Sequence, residues 1–403
     1  MTARKFASGG SLSNIRILDL TRVWAGPLAT RIFGDFGAEV IKISDPRVPL
    51  LSGNGLNNKL NRNKKNIGLR LDIESGRKVF LELVSKSDVV IENFRPRVMR
   101  NLGLSFDQLT RSNPSIVMVS MPGFGTEGPY SEFPAFGTTA EALAGIPSLI
   151  GYKEGAPMST GIAYGDPISG LNAVSLILAA LRKRKKFGGG QFIDIALATS
   201  PVCMIGEYIG AYSSSGELTT TQGNRHPDYC PHGAYKCKGL DSWVAISVTD
   251  NQEWKSLCNI LSSPKLSLLL SATVKMRKEN EDLINQTISE WSSTGFASER
   301  AKALQRAGIP AGMVSNSRQL MKDEHLNSRN FFHDTKERDH GIKRFDGQSI
   351  SGNSLPKSTW KNTSDVGEDS RSILTDILGY SDSKCAGLES EQAVYFASKN
   401  IVN

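Results

Sequence analysis

The chain has 403 residues, which suffices for two or three domains and for a large buried core. Hydrophobic residues make up 39% and charged residues 22%, as in an ordinary globular protein, and no apolar run approaches the roughly 20 residues that span a bilayer. The first residues are small and polar and lack the apolar core of a signal peptide. We therefore expect a cytoplasmic protein without a membrane partner.

The net charge of +8 comes in large part from two basic clusters, at 59–70 and 182–186. Each cluster is either a solvated face or part of a field that attracts an anion. Nucleic acid is a poor candidate for that anion, because no known binding motif is present and aromatic residues do not alternate with the basic ones. Histidines and cysteines lack the spacing of metal ligands, which predicts that there is no metal site.

Short apolar runs alternate with amphipathic stretches in the N-terminal part. The predicted elements follow in this order: a strand at 15–20, a helix at 27–36, strands at 39–43 and 69–71, a helix at 74–85, and strands at 88–92 and 115–120. Gly37 is expected to end the first helix. This alternation predicts a Rossmann-like, doubly wound α/β domain. Neither GxGxxG nor the Walker loop follows a strand, so nothing indicates NAD or ATP.

The character of the chain changes after a polar stretch at 213–222. A long apolar helix around 171–181 and a strand at 191–197 precede it, whereas a strand at 243–248 and three helices, at 254–261, 279–291 and 298–307, follow it. We predict a large domain over 1–212, a linker at 213–225, a smaller α+β domain at 226–325, and a linker and C-terminal return to the large domain at 326–403.

Asp166 stands between Gly165 and Pro167, directly before the long apolar helix. Proline favours the first helical turn, so Asp166 is predicted to be the N-cap. One interpretation is an acid that only caps a helix. The other is a nucleophile, because a carboxylate can attack a thioester to form a mixed anhydride, and a helix N-terminus stabilises negative charge. The local sequence leaves both interpretations open.

Seven blocks distributed along the chain carry a resemblance to a known family. They are LDLTRVWAGP at 18–27, GAEVIKI at 37–43, NRNKK at 61–65, VIENFRP at 90–96, GFGTEGPY at 123–130, GNR with PHG in 223–233, and AGIP at 307–310. In this order and spacing, the chain resembles the family III CoA-transferases over nearly its whole length. That group contains formyl-CoA transferase and carnitine CoA-transferase, and alpha-methylacyl-CoA racemase is a relative.

The resemblance implies roles for particular residues. Asp166 matches the catalytic aspartate of the family. The implied CoA-binding residues are Val23, Trp24, Ala25, Asn93, Phe94, Arg95 and Arg100, with Lys64 and Lys65 as weaker candidates for the adenosine 3′-phosphate. Arginine suits phosphate because its guanidinium donates two hydrogen bonds at once, although each basic residue is alternatively a solvated surface charge. The implied acyl pocket contains Phe136, Gly137, Thr138 and Glu141, where Glu141 stands in place of the usual glutamine.

The resemblance also implies a reaction and two rivals to it. CoA would pass from an acyl-CoA donor to a carboxylic acid through an aspartyl anhydride and an aspartyl-CoA thioester, with the CoA thioester as substrate and no permanently bound cofactor. A racemase of 2-methylacyl-CoA thioesters needs an acid and a base, and its relatives carry a histidine that is absent from 136–139. A non-catalytic CoA-binding homologue is the second rival, although such a protein would be expected to have lost Asp166. The donor and acceptor acids stay open.

Family resemblance further implies an interlocked homodimer, in which each chain passes through a ring made by the other. The return segment, with Trp360 and a helix over 368–378, is expected to pack on the large domain.

Overall fold

The computed structural model of the chain describes residues 10–48, 55–152, 155–337, 341–350, 352 and 360–397. The chain folds into two compact units. The first combines Met1–Pro147, Ser159–Glu217 and Asn330–Asn403, and the second combines Ser148–Met158 and Leu218–Arg329. The sequence analysis had assigned 148–158 to the large domain, had treated 213–225 as a linker and had ended the smaller domain at 325, whereas the second unit contains Ser148–Met158 and Leu218–Arg329.

The strands of the described residues are short, and most of them coincide with apolar runs. They are β1 Arg16–Asp19, β2 Glu39–Ser44, β3 Lys64–Leu69, β4 Val89–Glu92, β5 Val117–Ser120, β6 Gln191–Asp194, β7 His232–Lys236, β8 Trp243–Ser247, β9 Ala311–Met313, β10 Phe332–Glu337, β11 Gly341–Asp346 and β12 Val394–Tyr395.

The helices range from single turns to one of 23 residues. Those up to residue 217 are α1 Ala25–Asp35, α2 Gly55–Asn61, α3 Glu74–Ser85, α4 Pro96–Asn101, α5 Phe106–Ser112, α6 Gly137–Leu143, α7 Ile146–Leu149, α8 Gly165–Phe187, α9 Thr199–Val202 and α10 Gly206–Ser215. The later ones are α11 Asn251–Leu261, α12 Val274–Glu279, α13 Glu281–Ser293, α14 Ala297–Arg306, α15 Ser317–Met321, α16 Glu324–Ser328, α17 Ser370–Ser372 and α18 Asp382–Ser390.

The first unit is built on a seven-stranded sheet in the order β12-β3-β2-β1-β4-β5-β6. Strands β1 to β6 are parallel to their neighbours, and only β12 joins in the antiparallel sense, on β3. The chain therefore winds outward from β1 in both directions. Ligands of such sheets bind beyond the carboxyl ends of the strands at the point where the order reverses, which here lies between β1 and β4. The α/β class predicted from the sequence is confirmed.

Two apolar layers cover the two faces of this sheet. Successive strand residues point to opposite faces, so Ile17 belongs to the layer under α1 and α8, whereas Leu18 belongs to the layer under α3 and α5. Phe33 of α1 and Phe80 of α3 are completely buried, one in each layer. The apolar spacing of both helices, which predicted them from the sequence, is thus explained by the layer each one covers.

Helices α1 and α8 approach each other closely at their N-terminal turns. A Cβ atom on Gly170 of α8 would lie 2.7 Å from the carbonyl oxygen of Ala25 in α1, so only glycine permits this approach. At its other end α1 finishes at Gly37, whose φ of 96° is in the region that favours glycine. The Gly37 N–H donates to the Gly34 carbonyl and the Ala38 N–H to the Phe33 carbonyl, which completes a Schellman motif.

The C-terminal segment returns to the first unit. Strand β12 pairs with β3, and the Asn66 N–H of β3 donates to Asp369 Oδ2 at 2.8 Å. The helix predicted at 368–378 is instead the short α17 followed by a π-helical turn at Ile373–Ile377. The antiparallel hairpin of β10 and β11 was not predicted.

The second unit contains a three-stranded antiparallel sheet, in the order β7-β8-β9, together with α11 to α14. Trp254 of α11 is fully buried in its core, and its indole N–H donates to the Leu269 carbonyl at 2.7 Å. The aromatic rings of His226, Tyr229 and His232 stack beside one another in the loop before and at the start of β7.

Candidate active site

Asp166 lies in the first turn of α8 and is 7% exposed. The helix begins two residues earlier than predicted, at Gly165, so Asp166 is the second helical residue and Tyr164 is the N-cap. The prediction that Asp166 caps the helix is therefore wrong. The cause is Ala163, which takes a left-handed conformation with φ of 50° and accepts the Asp166 N–H, and so starts the helix early.

The Asp166 carboxylate lies at the meeting point of two helix N-termini. Its Oδ1 accepts the backbone N–H of Ala25, the first residue of α1, at 3.3 Å. Unpaired N–H groups and the helix dipole make such a position favourable for negative charge. Burial nevertheless raises the pKa of the Asp166 carboxyl to about 6, and the Ala25 N–H acts against that rise. The carboxylate is consequently ionised at neutral pH and more basic than an exposed aspartate.

Helix α6 covers the other side of the carboxylate with a glycine. A Cβ atom on Gly137 would lie 1.9 Å from Asp166 Oδ2 and 2.8 Å from the Cβ of Ala163, so no side chain fits at this position. Phe136 and Thr138, its neighbours in the predicted acyl pocket, are exposed, Phe136 by 65%. The structure thus brings Gly137 into contact with the predicted nucleophile and leaves Phe136 and Thr138 open to a ligand.

Glu141 lies one helical turn beyond Gly137 and is completely buried. Its Oε1 accepts the N–H of Thr160 at 3.1 Å, whereas its Oε2 and the Thr160 hydroxyl have no hydrogen-bond partner among the described residues. The resemblance had implied that Glu141 lines the acyl pocket. Because its side chain is completely buried, it does not line an open pocket in this structure. It instead joins α6 to the segment that leads into Asp166.

Two loops meet at the edge of the sheet where the strand order reverses. The side chain of Asn93, after β4, accepts the N–H of Arg22 and donates to its carbonyl, both at 2.8 Å, and the Arg22 guanidinium lies 5.6 Å from the centre of the Phe94 ring. Val23 is 63% exposed, and Trp24 is partly exposed. The predicted CoA-binding residues Val23, Trp24, Ala25, Asn93 and Phe94 are thus assembled at one edge, and Arg95 is exposed at the start of α4.

Arg100 faces a neighbouring cleft of about 480 Å³ at the ends of β4 and β5. Its guanidinium is paired with Glu132 at 2.8 Å and is 63% exposed. Glu92 forms part of the cleft wall and accepts hydrogen bonds from the Ser120 hydroxyl and the Phe94 N–H. Burial raises the pKa of Glu92 to about 7, so this carboxyl is partly protonated at neutral pH.

The two predicted lysine ligands lie in β3 and are engaged elsewhere. Lys64 is 4% exposed, and its ammonium donates to Asp19 Oδ2, the Pro27 carbonyl and Asn61 Oδ1 at 2.9, 3.1 and 3.0 Å. All three of its hydrogens are therefore used inside the protein, which leaves none for a phosphate. Lys65 is paired with Glu39 at 2.7 Å. The structure gives no support to a phosphate-binding role for Lys64.

Residues that the sequence did not single out complete the surroundings of Asp166. They are Asp19, Thr21, Thr30 and Lys42, which hold the loop between β1 and α1, and Ala163 and Gly170, which shape the start of α8. The acid at the end of the first strand was visible in the sequence, but its partners are up to 45 residues away.

The described residues contain neither a membrane-spanning helix nor a cluster of metal ligands. No helix there has the combination of length and apolarity that crossing a membrane requires. Within the same residues, histidine, cysteine, aspartate and glutamate side chains do not gather in threes as metal ligands would.

Comparison with known proteins places this geometry in context. A family model described as CoA-transferase family III matches residues 12–370. A succinyl-CoA:mesaconate CoA-transferase of Haloarcula marismortui is 32% identical over 338 residues, which cover 79% of this chain and 84% of the relative. The β subunit of a succinyl-CoA–L-malate CoA-transferase of Chloroflexus aurantiacus is 30% identical and covers 95% of this chain and 98% of its own. A formyl-CoA:oxalate CoA-transferase of Streptomyces coelicolor is 31% identical, with coverage of 78% and 83%.

Solved structures share the fold. A CAIB/BAIF family protein from Brucella suis superimposes with a TM-score of 0.83 at 24% identity, over 91% of this chain and 99% of that one.

Proposed function

Because the chain belongs to CoA-transferase family III and is therefore a CoA-transferase, we propose that it moves CoA from an acyl-CoA donor to a carboxylic acid with Asp166 as the covalent nucleophile. The observation that carries this proposal is the Asp166 carboxylate itself. It is buried, with a pKa raised to about 6, and it lies between two helix N-termini and a glycine that leaves its Oδ2 side without a covering side chain.

The proposed reaction has four steps. An oxygen of the Asp166 carboxylate attacks the donor thioester, and the CoA thiolate leaves a mixed anhydride behind. The thiolate then attacks the Asp166 carbonyl carbon, which gives an aspartyl-CoA thioester and releases the donor acid. The acceptor carboxylate attacks that thioester to form a second anhydride, and the thiolate finally attacks the acceptor acyl carbon. Acyl-CoA leaves, and the Asp166 carboxylate is restored.

The surroundings of Asp166 suit both its attack on the donor thioester and the later attack on its own carbonyl carbon. A carboxylate with a pKa of about 6 is a stronger nucleophile than an exposed one and is still ionised at neutral pH. The N–H of Ala25 already donates to Oδ1, so it can also stabilise negative charge that develops on that oxygen when the Asp166 carbonyl is attacked.

CoA is proposed to bind at the edge between β1 and β4, where the predicted contacts of Val23, Trp24, Ala25, Asn93 and Phe94 are assembled. This agrees with the rule for ligands of doubly wound sheets. The positive charges of Arg22, Arg95 and Arg97 are exposed at the same edge and suit the phosphates of CoA. Arg100 stays a candidate only if CoA displaces Glu132 from it.

The racemase alternative is disfavoured by Gly137. That reaction needs an acid and a base on opposite sides of the substrate α-carbon. Here the residue in contact with the Asp166 carboxylate has no side chain, and nothing larger fits. A non-catalytic role is disfavoured because an acid with no function would not be expected to be buried at a cost to its own ionisation.

The similar enzymes from Haloarcula and Chloroflexus are named for succinyl-CoA as donor and for mesaconate or L-malate as acceptor. We propose a donor and an acceptor of the same class, which are short dicarboxylic acids. The test is a matrix of succinyl-CoA, formyl-CoA and acetyl-CoA against mesaconate, malate, oxalate and acetate, read by mass spectrometry for new thioesters. Transfer that appears with the wild type and is lost in Asp166→Asn supports the proposal. Asp166→Asn with full activity would refute it.

We further propose that the chain forms the interlocked homodimer of its family. Helix α10 has no buried residue in the single chain, and Ile209 and Tyr212 on it are 51% and 53% exposed. On α8, Leu171 is 55% exposed. Exposed apolar surface of this extent marks an interface. Sedimentation at nanomolar protein is expected to show dimers only, and a folded monomer that forms reversibly on dilution would contradict interlocking.

A further inference from the structure

Three charged side chains are buried beneath the loop from β1 to α1, and the transfer chemistry assigns them no part. Asp19, the last residue of β1, is 0% exposed, Lys42 is 7% exposed and Lys64 is 4% exposed. Asp19 Oδ2 lies 2.9 Å from the Lys64 ammonium, and its Oδ1 lies 3.7 Å from that of Lys42. Burial by itself raises the pKa of Asp19, but the two lysines and a hydrogen bond from Thr21 hold that pKa well below its usual range. The carboxylate is therefore charged.

This charged cluster holds both ends of the loop. At the start, Asp19 Oδ1 accepts the N–H and the hydroxyl of Thr21 at 2.8 and 2.5 Å, and the Lys42 ammonium donates to the Thr21 carbonyl. At the end, the Lys64 ammonium donates to the Pro27 carbonyl at 3.1 Å, and the Thr30 hydroxyl in α1 donates to Asp19 Oδ2 at 2.7 Å.

The middle of the loop is strained. Val23 has φ of 68°, a left-handed conformation that is unfavourable for a β-branched residue. Such strain persists only where the surroundings determine the backbone, and it is concentrated at functional sites. Two residues further on, the N–H of Ala25 donates to Asp166. A relaxed loop would turn that N–H away.

We propose that the Asp19–Lys42–Lys64 cluster is a positioning device for the nucleophile, which holds residues 21–27 in the strained conformation that directs the Ala25 N–H to the Asp166 carboxylate. This inference rests on the proposed function. Buried charges suit the task, because an ion pair surrounded by hydrogen-bond donors has a narrow range of allowed geometries, whereas apolar packing tolerates shifts.

A cluster that positions the Ala25 N–H affects the pKa of Asp166, whereas a cluster that only stabilises the fold does not. Burial raises the pKa of Asp166, and the Ala25 N–H acts against that rise. Since that hydrogen bond favours the ionised form, a loop that has moved raises the pKa of Asp166. The acid limb of the pH–rate profile must then move to higher pH.

Thr21→Val is the first test, because it keeps the shape of a buried side chain and removes one link between loop and cluster. The matched control is Thr287→Val, which also removes a buried hydroxyl with one hydrogen bond, at 2.8 Å to the Leu283 carbonyl of α13. Thr21→Val is expected to lower kcat roughly 3- to 10-fold, the value of one hydrogen bond, with a smaller change in KM for acyl-CoA. Its acid limb is expected to move upward, whereas Thr287→Val changes neither quantity.

Val23→Gly is a second variant that tests the inference if Thr21→Val does not fold. Glycine takes the left-handed conformation without strain, so the folded protein stays intact while the loop gains freedom. It is expected to lower kcat and shift the acid limb in the same direction. Wild-type kcat and acid limb in both variants would overturn the inference. Asp166→Asn then separates two cases. If Asp166→Asn is inactive while Thr21→Val and Val23→Gly behave like the wild type, only the inference about the cluster fails. If Asp166→Asn is active as well, the proposed function itself fails.

Discussion

The two sides of Asp166 differ in how completely their polar atoms are paired. On the α1 side, Asp19 accepts four hydrogen bonds at 2.9 Å or less, and the Lys64 ammonium uses all its donors. On the α6 side, Glu141 Oε2 and the Thr160 hydroxyl are buried without a partner among the described residues. In the single chain, the hydrogen bonds of Asp19 and Lys64 on the α1 side are complete, whereas those of Glu141 and Thr160 on the α6 side are not.

This difference matches a division of tasks. A buried polar atom without a partner costs about 1–3 kcal/mol, so a fold does not retain such atoms without cause. The complete side, built on α1, holds the nucleophile through Ala25. The incomplete side, built on α6, carries Phe136, Gly137 and Thr138, which the family resemblance assigns to the acyl pocket. Substitutions on the α1 side should therefore lower kcat through the position of Asp166. Substitutions on the α6 side should change kcat less, unless the new side chain contacts the Asp166 carboxylate.

Gly137→Ala should have the largest effect, because it is the α6 change that does reach Asp166. The new methyl group would meet Oδ2 at 1.9 Å, so the carboxylate must move. A displacement near 1 Å at a reacting group costs about 100-fold in rate, and we expect at least that loss in kcat. The control is Gly387→Ala in α18, where a Cβ atom meets nothing within 4 Å. A Gly137→Ala enzyme with more than half of wild-type kcat would contradict the close contact.

Asp166→Asn should make the protein more stable at high pH. The folded state raises the pKa of Asp166 from 3.8 to about 6, so the folded form is penalised when this group ionises. Relative to the asparagine variant, the wild type should lose about 1–3 kcal/mol of unfolding free energy at pH 8. The difference should shrink as the pH falls through 6 and vanish below about pH 4, where both proteins are neutral here. Denaturant titrations at pH 4, 6 and 8 measure it, and a difference that does not depend on pH would exclude a raised pKa.

Glu141→Gln should have the smallest effect and the opposite sign to Thr21→Val. An amide keeps the acceptor for the Thr160 N–H and makes neutral a buried side chain whose Oε2 has no hydrogen-bond partner among the described residues. We expect a gain of about 1 kcal/mol in unfolding free energy, whereas Thr21→Val should lose a similar amount. Glu389→Gln, at an exposed site in α18, is the control and should leave stability unchanged. A loss of stability in Glu141→Gln would remove the contrast between the two sides.

The sequence predicts the strands next to β1 well because each is an apolar run that both faces bury. Strand β4 and helix α3 lie where the pattern puts them, and Gly37 follows its helix as expected. The strand predicted at 69–71 instead lies at Lys64–Leu69, because its first residues are polar. The hairpin of β10 and β11 escaped prediction because both strands are rich in polar residues and β11 is largely exposed. Helix α10 escaped for a related reason, since none of its residues is buried in the single chain and no apolar period results.

The site shows where local reasoning fails. The family resemblance made Lys64 a weaker candidate for the adenosine 3′-phosphate. Its place in β3 turns the side chain inward, where Asp19, 45 residues earlier, neutralises it. Such long-range pairing is invisible in the spacing of residues. Conversely, Asp166 drew attention through its place between a glycine and a proline before a helix, and the family resemblance supplied the expectation that it is the nucleophile.

The claim that Asp166 carries the CoA group is tested most directly by intact-protein and peptide mass spectrometry after brief incubation with succinyl-CoA, without an acceptor acid. Acid quenching should preserve the aspartyl-CoA thioester, and hydroxylamine should release it. We expect one adduct with the mass of CoA less water on the peptide that contains Asp166, at up to one group per chain, and no adduct in Asp166→Asn. CoA attached to a different residue, or turnover without any adduct together with an active Asp166→Asn enzyme, would contradict the account.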